Sequence, residues 1–171
     1  MIFVDEMGSN TSLTRLFARA MRGERAVGKA PRNYDKNESV IGAMGLRGVI
    51  AAMSIEGAVD GLAFNEYVER VLLPELMKGD VVVMDNLNVH KASRVEQLIR
   101  SAGARLVYLP AYSPDLSPIE NCWSKIKQYL RSYEARTRDK LQEAIAEAFK
   151  SVTVADIRGW FSGCGYEASL A

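Results

Sequence analysis

The chain has 171 residues, 48% hydrophobic and 25% charged, with a formal net charge of +1. These proportions fit one globular domain over residues 1–171 and exclude a disordered or fibrous chain. No apolar run approaches the roughly 18 residues of a transmembrane helix. The start, Met1-Ile2-Phe3-Val4-Asp5-Glu6, also lacks the basic region and cleavage site of a signal peptide. Cys122 and Cys164 make neither zinc spacing nor a disulfide framework, so a cytoplasmic, reducing setting is expected.

Residues 1–5 read as a short apolar strand. Residues 9–38, rich in Arg, Gly and Asn with weak periodicity, read as a long basic excursion with at most a short helix or hairpin. Residues 39–45 and 48–55 are β-capable runs, with Gly45-Leu46-Arg47-Gly48 as the turn between them. Phe64, Tyr67, Val68, Val71, Leu72 and Leu76 fall at helical spacing and predict an amphipathic helix over 64–77. Pro74 should kink it or loosen its last turns.

Gly79-Asp80 turns the chain into Val81–Met84, a β-branched buried strand. Val95, Leu98, Ile99 and Ala102 mark a second helix, stopped by Gly103, and Arg105–Leu109 is another strand. Ile119, Trp123, Ile126 and Leu130 mark a third helix, with Trp123 read as core. The C-terminal part, 137–162, is helical: Thr137 opens one helix, and Thr153-Val154-Ala155-Asp156 caps a last one. The expected fold is an α/β mixed sheet flanked by helices, its first strands antiparallel and its later ones parallel.

Charge is unevenly spread. Arg15 to Lys36 holds seven bases against two acids, and Lys125 to Lys140 holds six against two. Arg15, Arg19, Arg22, Arg25, Lys125 and Lys127 are therefore candidates for gripping DNA phosphates. The competing reading is a solvated helix face and a polar loop.

Three carboxylates stand out: Asp5 ends one apolar strand, Asp85 ends another, and Glu120 opens a helix. Converging, they would make an oxygen-rich pocket for hard divalent cations. Each also has a structural explanation. Asp5 and Asp85 suit turns. Ser117-Pro118-Ile119-Glu120 has the form of a capping box, with Ser at N-cap, Pro at N1 and Glu at N3. On local sequence the cap is the better explanation of Glu120. Successive strand residues face opposite ways, so only one of Asp5 and Glu6 can face a given pocket.

The segment Val81-Val82-Val83-Met84-Asp85-Asn86 is followed by Leu109-Pro110-Ala111-Tyr112-Ser113-Pro114-Asp115-Leu116-Ser117-Pro118-Ile119-Glu120-Asn121. Together they resemble the catalytic domain of mariner-type transposases, and most of all their bacterial insertion-sequence branch. The 34 residues between Asp85 and Glu120 are that branch's spacing. Phe3-Val4-Asp5-Glu6 matches the first-Asp motif, and Arg22-Gly23-Glu24-Arg25 matches the basic segment after it. The resemblance covers Ile2 to about Tyr166.

The resemblance implies a ribonuclease H-like fold, with Asp5, Asp85 and Glu120 as the catalytic, metal-binding DDE triad. It implies two Mg²⁺ ions, with Mn²⁺ as a substitute, about 3.5–4 Å apart across the scissile phosphate. Asn86 and His90 match the second motif as accessory residues. The implied activity is DNA cleavage at transposon ends, then transfer of the freed 3′-OH into a TA target, by a homodimer assembled on DNA. The excursion would contact a partner subunit or DNA ends.

The family also carries helix-turn-helix modules ahead of the first catalytic strand. The residues before Asp5 leave no room for them, so a second reading frame, a truncated gene or an expressed domain stay open. Two other functions stay open as well. One is an inactive fragment that only dimerises or binds DNA nonspecifically; the other is a general ribonuclease H-like nuclease.

Overall fold

The computed structural model describes residues 1–32, 36–86 and 93–167. Five strands form one sheet: β1 Ile2–Ser9, β2 Glu38–Gly45, β3 Gly48–Glu56, β4 Val81–Met84 and β5 Arg105–Tyr108. Their spatial order is β3-β2-β1-β4-β5. β1, β2 and β3 pair antiparallel, whereas β4 runs parallel to both β1 and β5. The antiparallel-then-parallel order is the one expected from the sequence pattern, and the arrangement is the ribonuclease H-like one that the family resemblance implies. β1 reaches Ser9 rather than stopping at Asp5, because all eight of its residues find partners on β2. Gly45 and Gly48 pair across the β2–β3 turn, and Gly48 takes the positive φ of 133° that this turn requires.

The helices are α1 Gly61–Tyr67, α2 Ser93–Ser101, α3 Pro118–Tyr133, α4 Arg138–Lys150 and α5 Val154–Gly163. α1 starts three residues before the predicted helix, where Asp60 accepts from the Ala63 amide as N-cap. It then loosens as Pro74 predicted, through a π turn at Val68–Leu72 and a 3₁₀ turn at Leu73–Glu75. α2 stops at the turn where Gly103 takes a φ of 73°. Between β1 and β2 the excursion forms neither helix nor strand among the described residues. It holds Leu16, Phe17, Met21 and Val27 exposed.

Strand alternation sorts the core into two halves. Ile2, Val4, Val82 and Met84 face α1, its π turn and α2, in a cluster with Phe64, Tyr67, Val68, Leu72, Val95 and Ile99. Phe3, Met7 and Val83 face α3, α4 and α5, among Ile119, Trp123, Ile126, Leu130, Leu141 and Phe161. The odd-numbered face of β1 and β4 is thus the face against α3.

Candidate functional site

Asp5 and Asp85 meet because β1 and β4 are parallel neighbours. Val4 pairs with Met84, so the next residue on each strand is a carboxylate. Asp5 shares a face with Phe3 and Met7, and Asp85 with Val83; both turn toward α3. Glu6 sits on the other face, where its charge acts on the Tyr67 hydroxyl. Glu120 comes from the first turn of α3, which packs on that same side. The three carboxylates line one cavity of about 350 Å³. Val83, Ser117 and the run from Leu109 to Pro114 complete its walls.

The capping reading of Glu120 is corrected. Ser117 is the N-cap, but α3 has no side-chain cap hydrogen bond. The reason is local. A 3₁₀ turn at Pro114–Leu116 precedes the helix, and the Ser117 amide already donates to the Pro114 carbonyl at 3.0 Å. Glu120 has no donor to reach back to, and its side chain lines the cavity instead. Thr153, by contrast, forms a complete capping box with Asp156.

Burial pushes the Asp5 carboxyl up to about 7, with the Glu120 and Glu6 charges adding to the rise. The Glu6 amide and the Trp123 indole, both hydrogen-bonded to it, oppose that rise. A carboxylate this poorly compensated favours a cation nearby. Among the described residues, however, no three His, Cys, Asp or Glu side chains gather closely enough to hold a metal alone. The donor set still fits Mg²⁺, which takes one or two carboxylates and fills its remaining positions with water and substrate phosphate. The nearby Cys122 thiol is buried and pushed up to about 12, which keeps it protonated and out of metal chemistry.

Of the accessory candidates, Asn86 lies at the cavity and His90 lies outside the described residues. None of the six basic candidates lines the cavity. Arg15, Arg19, Arg22 and Arg25 are exposed on the excursion, and Lys127 is half-buried on α3. Lys125 is held at 2.5 Å by Asp156 on α5, which pairs it within the fold.

Three site features escaped the sequence reading. Trp123, read only as core, donates its indole N–H to Asp5 Oδ2 at 2.9 Å. Tyr112 stands fully exposed at the cavity wall with a φ of 58°. Tyr166 donates its hydroxyl to the Leu116 carbonyl at 2.8 Å and buttresses the turn that launches α3. The spacing from Glu120 to Trp123, one helical turn, was the visible signal for the first. The other two depend on tertiary geometry.

A family model described as DDE superfamily endonuclease matches residues 1–142. The Tcb1 transposase of Caenorhabditis briggsae is 26% identical over 102 residues, covering 57% of this chain and 37% of that protein. The Tc1 transposase of Caenorhabditis elegans is 24% identical over 107 residues, covering 60% and 39%. The aligned stretch therefore spans about two fifths of the length of these curated relatives.

Among solved structures, the catalytic domain of Mos1 mariner transposase matches with a TM-score of 0.67 at 15% identity, covering 96% of this chain and 74% of that one. The mariner Mos1 paired end complex with Mg matches with a TM-score of 0.74 at 15% identity, covering 96% and 53%. At these identities the likeness is one of fold.

Proposed function

The chain belongs to the DDE superfamily endonuclease family, and from that premise we propose that it is a DNA-cleaving and strand-transfer domain working through Asp5, Asp85 and Glu120. The observation that carries this reading is the meeting of three carboxylates, from three separate elements, on one cavity. The names of the relatives support it, since the Tcb1 and Tc1 proteins are transposases. So do Mos1 structures described as a strand transfer complex and as paired end complexes with Mg and with Mn.

In this reading Asp5 and Asp85, side by side on adjacent strands, hold and orient hard cations, and Glu120 contributes from the helix above. Mg²⁺ ions bound there, with Mn²⁺ as a substitute, supply charge neutralisation at the scissile phosphate and activation of the attacking oxygen. The carboxylates position and do not attack, so no covalent enzyme–DNA intermediate forms. Water is the first nucleophile, at a transposon end. The freed 3′-OH is the second, at a TA target. The exposed arginines of the excursion offer phosphate contacts. End recognition falls to a helix-turn-helix module outside the aligned stretch, with a second copy of the chain joining on DNA. The 34 residues between Asp85 and Glu120 support a reading of the chain as one of the bacterial insertion-sequence branch.

The test uses supercoiled plasmid for nicking and a duplex with a recessed 3′-OH for strand transfer, each with Mg²⁺ or Mn²⁺. Asp85→Ala is expected to lower both by more than about 100-fold, a larger loss than removing an outer partner of a metal ligand. Nicking that survives this change overturns the assignment. A second reading, a domain that binds DNA without cutting it, draws on the carboxylates, which among the described residues do not gather into a group of three able to hold a metal alone. DNA retardation without metal-dependent nicking, even with a helix-turn-helix module supplied, would favour it. Cleavage of an RNA–DNA hybrid without any need for transposon ends would point to a general nuclease.

A further inference from the structure

Buried tryptophan normally finds a partner for its one polar atom. Trp123 is 2% exposed, and its partner is Asp5 Oδ2, 118 residues away in the chain, at 2.9 Å. Few neighbours could be more consequential, because Asp5 lines the carboxylate cavity. The indole holds Oδ2 from the α3 side, and the Glu6 amide also donates to this carboxylate, so two donors fix its orientation at the cavity.

A second, independent feature shows that the ring has a prepared seat. Asp5 pairs across β1 and β2 with Gly42. A Cβ built on Gly42 would lie 2.5 Å from Trp123 Cη2 and 3.2 Å from Cζ2. Both are atoms of a rigid ring packed edge-on against Phe149, so the ring cannot swing aside like a flexible tip. Gly42 needs no special backbone angle here; what it supplies is the space.

We propose that Trp123, seated on Gly42, is a positioning residue for Asp5, holding the carboxylate in one rotamer toward the metal. The proposal rests on the function proposed above, since it takes Asp5 as a metal ligand. It predicts a coupling between two residues that touch no substrate. Removing the indole N–H, or displacing the ring from β2, should loosen the first carboxylate and weaken metal binding. The typical loss on removing such an outer partner is about 10- to 100-fold.

The experiment reads metal binding and the indole together. The chain has two tryptophans, so an ¹⁵N–¹H spectrum shows two indole resonances, and Trp123→Phe assigns them. In the wild-type protein the Trp123 resonance should shift on addition of Mg²⁺, and it should move with Asp5→Asn in metal-free buffer. By calorimetry, Trp123→Phe should bind Mn²⁺ about 10-fold or more weakly while keeping the near-ultraviolet spectrum of a folded core. Gly42→Ala should weaken Mn²⁺ binding in the same direction with the indole N–H still present.

Wild-type Mn²⁺ affinity in Trp123→Phe overturns the proposal and leaves the functional reading intact. So does an indole resonance indifferent to both Mg²⁺ and Asp5→Asn, which is measured without any variant of the tryptophan. A wild-type protein that binds no Mn²⁺ at all overturns the functional reading itself, and this proposal with it.

Discussion

Asp5 has its carboxyl raised from 3.8 to about 7, chiefly by burial. In the unfolded chain it titrates near 3.8, so between the two values the folded state binds the extra proton. Stability then falls as pH rises. The contribution is complete below pH 3.8, is lost through the window up to about 7, and is absent above it. Metal-free protein melted across that window should therefore show a downward slope with rising pH, and Asp5→Asn should flatten it. Mg²⁺ should flatten it too, by favouring the charged form. A slope unchanged by Asp5→Asn would mean that another group carries it. The residue types at the site were legible in the sequence as three carboxylates, Asp85 just past β4, Glu120 in the first turn of α3, and Asp5, which was read as ending β1 although that strand runs on to Ser9. What was not legible is the environment that sets Asp5's protonation. That depends first on burial, then on strand register and on Trp123 from α3, and of these only Trp123 leaves a mark in the sequence, its one-turn spacing from Glu120.

At the scale of elements, two helices begin with the same pattern and differ in outcome. Thr153 and Asp156 satisfy each other's amides at the start of α5. Ser117 and Glu120 do not, because the preceding 3₁₀ turn has already engaged the Ser117 amide. Thr153→Ala should therefore lower stability by about 1 kcal/mol in denaturant titration. Glu120→Gln should change it by no more than about 0.5 kcal/mol, the weak end of a charge near a helix N-terminus. A Glu120 effect as large as that of Thr153 would restore the capping reading. The apolar periodicity of α3 and α4 was read from sequence because each buries a continuous stripe. The loosening of α1 was read from Pro74, which has no amide to donate. Its earlier start was missed because Asp60 sits ahead of the first apolar residue of the pattern.

Over the whole molecule, the excursion leaves the sheet between β1 and β2 and both of its roots are tied to the α3–α4 junction. Arg136 donates to the Thr11 and Leu13 carbonyls at 3.2 and 2.9 Å. Arg138 pairs with Glu38, which is 1% exposed, and with Glu56, which also holds Lys36. Arg138→Ala would leave the buried Glu38 carboxylate with Gln142 as its remaining side-chain partner among the described residues. The expected cost is about 2–3 kcal/mol, near the lower end for stranding a buried charge because Arg138 itself is partly exposed. Limited proteolysis should then cut faster between Arg15 and Arg32. Unchanged stability and cleavage would show that the roots are held by other means. The antiparallel β2–β3 pair and the parallel β4–β5 pair were legible because hairpin and crossover connections differ in length, whereas the long excursion between β1 and β2 fixes no direction. The Arg136 and Arg138 clamps were not, since they join residues from 82 to 125 apart in the chain. The central position of β1 also sets a timetable. Val4 waits for Met84 as its parallel partner, and Glu120 follows later still on α3. During synthesis the cavity therefore has no complete wall until α3 has left the ribosome, however early Asp5 is made. A chain that ends before α3 holds Asp5 and Asp85 without Glu120, so a site whose first residue is made fifth is closed only by a helix made more than a hundred residues later.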